Sequence, residues 1–119
     1  MTKRWRYAAI LLALAGHAAV GDAQQPARIP RVGFVAAAHP AAVAARTEAF
    51  RQGLRELGYV EGRNIVVDYR YAEEQFDRVP ALVDELIRLK ADVIVSAGPS
   101  VTRSARTVTL SVPIVMAFD

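Results

Sequence analysis

The chain has 119 residues, 53% hydrophobic and 23% charged, with a net charge of +3 and no cysteine. That length admits one domain, and the missing thiols exclude both disulfides and a lipidated cysteine anchor, so an exported fold must be held by packing alone. Lys3, Arg4 and Arg6 carry the excess positive charge; the remainder is nearly neutral and has no basic stripe with interleaved aromatics, which excludes a nucleic-acid partner.

From Tyr7 to Val20 the chain is apolar apart from Gly16 and His17, directly after the basic start. This is the form of a secretory signal peptide. The run falls short of the about 20 residues that cross a bilayer, and Gly21-Asp22-Ala23 sets small residues where a signal peptidase reads. Cleavage after Ala23 is expected, leaving no stable membrane span and a single domain over 24–119.

After a polar, proline-bearing lead-in, Arg31 to Ala36 predicts the first strand. Ala37, Ala38, His39 and Pro40 form a loop, and Ala41 to Leu57 predicts a helix in which Ala42, Ala45, Ala49, Phe50, Gly53, Leu54 and Leu57 share one face. Gly58 stops that helix. Glu48, Arg51 and Arg55 lie at ion-pair spacing on its solvated side. A turn over Glu61 to Asn64 leads into Ile65 to Tyr71, an alternating strand with Ile65, Val67, Tyr69 and Tyr71 on one side and Val66, Asp68 and Arg70 on the other, as suits a sheet edge. Tyr69 and Tyr71 read as packing residues.

Asp77 is expected to cap the second helix, with Pro80 in its first turn and Leu82, Val83, Leu86, Ile87 and Leu89 as its buried stripe. Asp92 to Ser96 reads as an interior strand, apolar on both faces. Gly98-Pro99-Ser100 then opens a third helix over Val101 to Thr109, and Val112 to Phe118 predicts the last strand, with Pro113 near its start.

Helices that return directly into β-branched strands build a parallel α/β sheet. Right-handed crossovers give the order 2-1-3-4, with the first helix on one face and the other two on the opposite face. The first helix's face is then short of cover over strands three and four. Each apolar side chain buried there would contribute about 1.5–3 kcal/mol, large beside the roughly 5–15 kcal/mol stability of a domain. The missing cover is expected from sequence outside this chain.

Arg31 to Val35, the block Ala49 to Tyr71, Ala91 to Gly98 and Val112 to Met116 resemble the exported substrate-binding proteins of ABC transporters, and in particular a group of which some members bind aromatic amino acids. The resemblance implies a type 1 periplasmic binding fold of two lobes, of which this chain would be an incomplete first lobe. It implies a periplasmic protein that captures a small-molecule ligand, with an amino acid among the candidates, for delivery to an ABC transporter permease. Ligand would lie between hinged lobes, against the loops that follow the strands. Residue by residue these are Ala37, Ala38 and His39 after the first strand, Gly98, Pro99 and Ser100 after the third, and Asp119 after the fourth. Free amides and the hydroxyl at Ser100 would suit a carboxylate, and Asp119 an ammonium.

Each of these residues also has a purely structural reading. Gly98-Pro99-Ser100 serves equally as turn and cap, His39 as a solvated loop residue and Asp119 as a chain end. No enzyme is expected, because there is no nucleophile elbow, metal-spaced ligand set, GxGxxG or P-loop; no cofactor or metal is expected either. The alternative is a cofactor- or effector-binding flavodoxin-like α/β domain. Against it, the first strand and its loop lack the glycines that a pyrophosphate requires, and a leader stands where DNA-binding helices would be. An open fourth strand and an absent facing wall lead to the expectation of a truncated copy that folds poorly and binds weakly.

Overall fold

Four short segments rich in β-branched residues pair side by side as β1 (Arg31–Ala36), β2 (Val66–Tyr71), β3 (Val93–Ala97) and β4 (Ile114–Phe118) in a computed structural model that describes residues 28–118. The signal-peptide reading over 1–23 and the assignment of Asp119 lie outside the described residues. All pairings are parallel and the order is β2-β1-β3-β4, as the crossover rule requires. Phe34 on β1 lies beside Tyr69 of β2 and Val95 of β3. Three helices connect the strands: α1 (Ala44–Glu56), α2 (Val79–Arg88) and α3 (Pro99–Val108).

The core lies on the two faces of the sheet. Beneath α2 and α3, Val35 and Ile94 meet Val79, Val83, Leu86, Val101 and Ala105, all essentially buried. Gly33 faces the same helices: a Cβ there would lie 2.9 Å from Leu86 Cδ1 and 3.0 Å from Ile94 Cδ1. The glycine lets α2 rest directly on the β1 backbone. Beneath α1, Val32, Phe34, Ala36, Ile65 and Val95 pack with Val43, Phe50 and Leu54.

Several expectations shift. The first helix divides into a 3-10 turn over Pro40–Val43 and α1 proper. Its sheet-facing seam is Val43, Thr47, Phe50 and Leu54, whereas Ala42, Ala45, Ala49 and Leu57 are exposed. Alanine gains too little from burial to set a helix's rotation against phenylalanine and leucine, and Thr47 is tolerated inside because its hydroxyl donates to the Val43 carbonyl at 3.0 Å. Asp77 caps nothing: it sits within a second 3-10 turn, Phe76–Arg78, that leads into α2. Val79 joins the stripe of α2, while Ile87 and Leu89 are only half-buried. Pro113 precedes β4, where its carbonyl accepts the Ile94 amide at 2.8 Å.

The bare flank is also narrower than expected. Val95 is 7% exposed because Phe50 and Phe118 pack around it, so the uncovered apolar surface falls on β4, where Val115 is 53% and Met116 47% exposed.

On the opposite edge, Glu48 pairs with Arg55 at 2.6 Å in solvent, but Arg51 turns away to Tyr69. Its guanidinium lies 4.5 Å from the ring centroid and donates to the phenol oxygen at 3.0 Å, while the phenol donates to Glu61. This triad ties α1, the turn before β2 and β2 together. Burial, then the bond to Glu61, pushes the Tyr69 phenol from 10.0 up to about 12. Below pH 10 both folded and unfolded chains hold this proton; between about 10 and 12 only the unfolded chain releases it, so the contribution disappears as pH rises through that window. The stability advantage of the parent over Tyr69→Phe, read from urea midpoints, is expected to shrink between pH 10 and 12; a constant difference would contradict the assignment.

Candidate functional site

Because the strands are parallel, their carboxyl ends share one edge, and β1, β3 and β4 deliver Ala36, Ala97 and Phe118 to it together. A cavity of 250 Å³ opens there. Its floor is Ala36, Ala37, Ala38 and Ala97, small side chains that leave backbone within reach of a guest. The volume is below the roughly 300–1,000 Å³ of a complete small-molecule site, as suits one wall of a cleft.

Gly98, Pro99 and Ser100 form one side of the cavity at the start of α3. Gly98 has φ 96° and ψ 166°, a conformation essentially restricted to glycine. This geometry turns its carbonyl back into the helix, where it accepts the Thr102 amide at 3.1 Å and the Thr102 hydroxyl at 2.8 Å. Ser96 holds that hydroxyl from the other side, oxygen to oxygen, at 2.6 Å. Pro99 has no N–H, so the amides of Ser100 and Val101 are the first-turn donors without an intrahelical acceptor. Arg103 reaches back to within 3.5 Å of the Ser100 hydroxyl.

The loop after β2 forms another side. Glu73 and Glu74 adopt φ 52° and 67°, a costly conformation for non-glycine residues, and the Glu74 amide donates to the Ala37 carbonyl at 2.5 Å. That bend delivers Phe76, 49% exposed, to the cavity rim. From α1, Arg46 extends over the Phe118 ring, 5.5 Å from its centroid. The same pair borders an apolar trough of 460 Å³ that runs between α1 and β4 past Phe50, Val95, Val115 and Met116.

Of the residues expected from the sequence, Ala37, Ala38, Gly98, Pro99 and Ser100 line this single cavity. His39 does not: it is exposed, and its backbone carbonyl accepts the Ala42 amide at 3.0 Å to start the 3-10 turn. Asp119 lies outside the described residues. Arg46, Phe76 and Phe118 were not anticipated. Phe76 and Phe118 could have been found by applying the strand-end rule to the second connection and to the last residue of the fourth strand. Arg46 carries no such signal, since a charged residue near a helix start reads as solvated. Among the described residues no group of histidine and acidic side chains could hold a metal ion, and no helix is long and apolar enough to cross a membrane.

Comparison with known proteins agrees with this architecture. The sequence profile of the family described as ABC transporter substrate binding protein matches residues 32–118. Among curated proteins none matches the chain. Solved structures share the fold: a conserved domain protein from Vibrio cholerae O1 biovar El Tor superposes with TM-score 0.69 at 23% identity, covering 76% of this chain and 30% of its own. The ligand-free, open form of a substrate binding protein with adhesive properties from Clostridium difficile gives 0.66 at 21% identity, over 72% and 29%. An ABC domain in complex with L-Trp from Streptococcus pneumoniae gives 0.66 at 16% identity, over 73% and 29%. The chain thus spans less than a third of the length of these structures.

Proposed function

This chain belongs to the ABC transporter substrate binding protein family, and from that premise we propose that it contributes one wall of a solute-binding cleft, capturing a small organic molecule outside the cytoplasm for delivery to an ABC permease. The observation that carries this reading is the cavity at the carboxyl ends of β1, β3 and β4, with an alanine floor, Ser100 and Val101 of the first turn of α3, whose amides have no intrahelical acceptor, and aromatic rims. Parallel α/β sheets bind their ligands at this position. Binding and release suffice for the role, and nothing in the cavity calls for a chemical step. Export is attributed to the leader over 1–23, and the facing wall to a second lobe, as the family resemblance implies. An amino acid remains a candidate ligand, and one of the solved relatives is described in complex with L-Trp.

Calorimetric titration of the full chain with a panel of amino and organic acids tests the proposal. Saturable binding at one site is expected, weakened in Gly98→Ala. That substitution imposes about 1–3 kcal/mol of backbone strain at the bend that aims the α3 amides. A folded chain that shows no saturable binding, or a Gly98→Ala variant that binds every solute as well as the parent, would refute it.

A further inference from the structure

The charge at the cavity is one-sided. Its lining carries one cation, Arg46, and no acidic side chain among the described residues. No carboxylate pairs with Arg46 within the described residues, and the same holds for Arg103, which stands beside Ser100 on the opposite side. Arg28, Arg31, Arg51, Arg55, Arg70 and Arg88 each meet an aspartate or glutamate, whereas Arg63, Arg78 and Arg106 form no ion pair among the described residues either; what sets Arg46 apart is that it alone of these cations lines the cavity. Nearby acids do not compensate: Glu73 and Glu74 are exposed and stand outside the lining. A guanidinium is permanently charged and grips a carboxylate through two parallel donors. Arg46 is not free to collapse into solvent at random, because its guanidinium rests over the Phe118 ring, an arrangement that leaves its in-plane N–H groups available. The α3 amides add donors of the same polarity.

Resting on the solute-capture reading above, we infer that this cavity selects an organic anion, a monocarboxylate with an apolar or aromatic body and no need of an ammonium group, and that Arg46 is the residue that determines this specificity. The carboxylate lies between Arg46 and the amides of Ser100 and Val101; the body lies on the alanine floor against Phe76 and Phe118. An amine has no acceptor side chain in the described lining beyond the Ser100 hydroxyl, and it would be repelled by Arg46.

The experiment is calorimetric titration of the full chain with four probes that share a phenyl ring and differ in charge: hydrocinnamate, its neutral amide, phenethylamine and phenylalanine. Hydrocinnamate is expected to bind tightest and phenethylamine weakest. In Arg46→Gln, hydrocinnamate should weaken by about 10- to 100-fold, the loss typical of a hydrogen bond to a charged group, while the neutral amide changes little. Arg46→Lys, which keeps the charge but loses the planar fork, should recover part of the preference. Circular dichroism of each variant reports folding, and because Arg46 is exposed its replacement leaves the core intact. Tightest binding of phenylalanine would mean that an acidic group reads the ammonium, overturning this inference while upholding solute capture. So would equal losses for anion and amide in Arg46→Gln. Failure of the folded parent to bind any of the four probes overturns the anion assignment; failure with the wider panel as well overturns solute capture itself.

Discussion

Phe34→Ala is expected to remove about 3–5 kcal/mol of folding stability, the cost of deleting a fully buried aromatic ring together with the void it leaves. Phe34 has no exposed surface and is surrounded by Phe50, Tyr69, Tyr71 and Phe118, with centroids at 5.4, 5.5, 6.3 and 6.4 Å. It therefore joins α1, β2 and β4 through one side chain, and no neighbour can collapse into its place without dragging a secondary-structure element with it. Against a total of roughly 5–15 kcal/mol, such a loss leaves the fold marginal or undone. Urea unfolding followed by circular dichroism measures it. Phe34→Leu, which keeps much of the volume, should cost clearly less, so a similar loss in both variants would show that the ring geometry matters more than the volume. A loss below about 1 kcal/mol in Phe34→Ala would mean the aromatic cluster is not the organising contact on this face. The same substitution acts on the cavity, because Phe118 loses the ring it packs against and with it the support that holds Arg46 in place.

How much of this was legible in the sequence depends on which physical signal each residue emits. The strands were readable because Val, Ile and Phe cluster in short runs between turn residues, and their order followed from the handedness of crossovers with no side-chain information at all. The stripe of α2 was readable because Leu82, Val83 and Leu86 are large enough to set the helix's rotation. The rotation of α1 was not, because alanines at Ala42, Ala45 and Ala49 look apolar in a pattern yet lose little by facing solvent. Ion pairing was misjudged at Arg51 for a related reason: helical spacing offered it Glu48, but an aromatic ring and an acid from sequence-distant elements were better partners. That the loops after β1 and β3 line one cavity is legible because the carboxyl ends of parallel strands share one edge, and small residues with Gly98 mark close backbone approach. His39 stands outside the lining although Ala37 and Ala38 belong to it, because a loop's sequence neighbours need not share its direction. Arg46 emits no such signal: its place in the cavity lining, over the Phe118 ring, brings together residues far apart in sequence and shows only in three dimensions.

The opposite face offers a test of packing that distinguishes a close fit from mere hydrophobicity. Leu86→Ala is expected to cost about 2–5 kcal/mol, since Leu86 is wholly buried between α2 and the sheet. Gly33→Ala alone should also destabilise, by about 1–3 kcal/mol, because its new methyl would press to 2.9 Å of Leu86 Cδ1 and 3.1 Å of Leu86 Cβ. Combining them removes the Cδ1 conflict: with the leucine branch gone, the added methyl enters the space it left. The double variant should therefore be more stable than the sum of the single losses predicts, with a coupling of about 0.5–3 kcal/mol in the favourable direction. Denaturant midpoints for the four proteins give that coupling directly. Additive losses would mean that the contacts which survive in the double variant, the residue 86 Cβ at 3.1 Å and Ile94 Cδ1 at 3.0 Å, limit the site rather than Leu86 Cδ1. Favourable coupling would instead establish that the missing side chain at Gly33 is what seats α2 on β1. That seating fixes the connection through β3 to Gly98, and thereby places the α3 amides at the cavity.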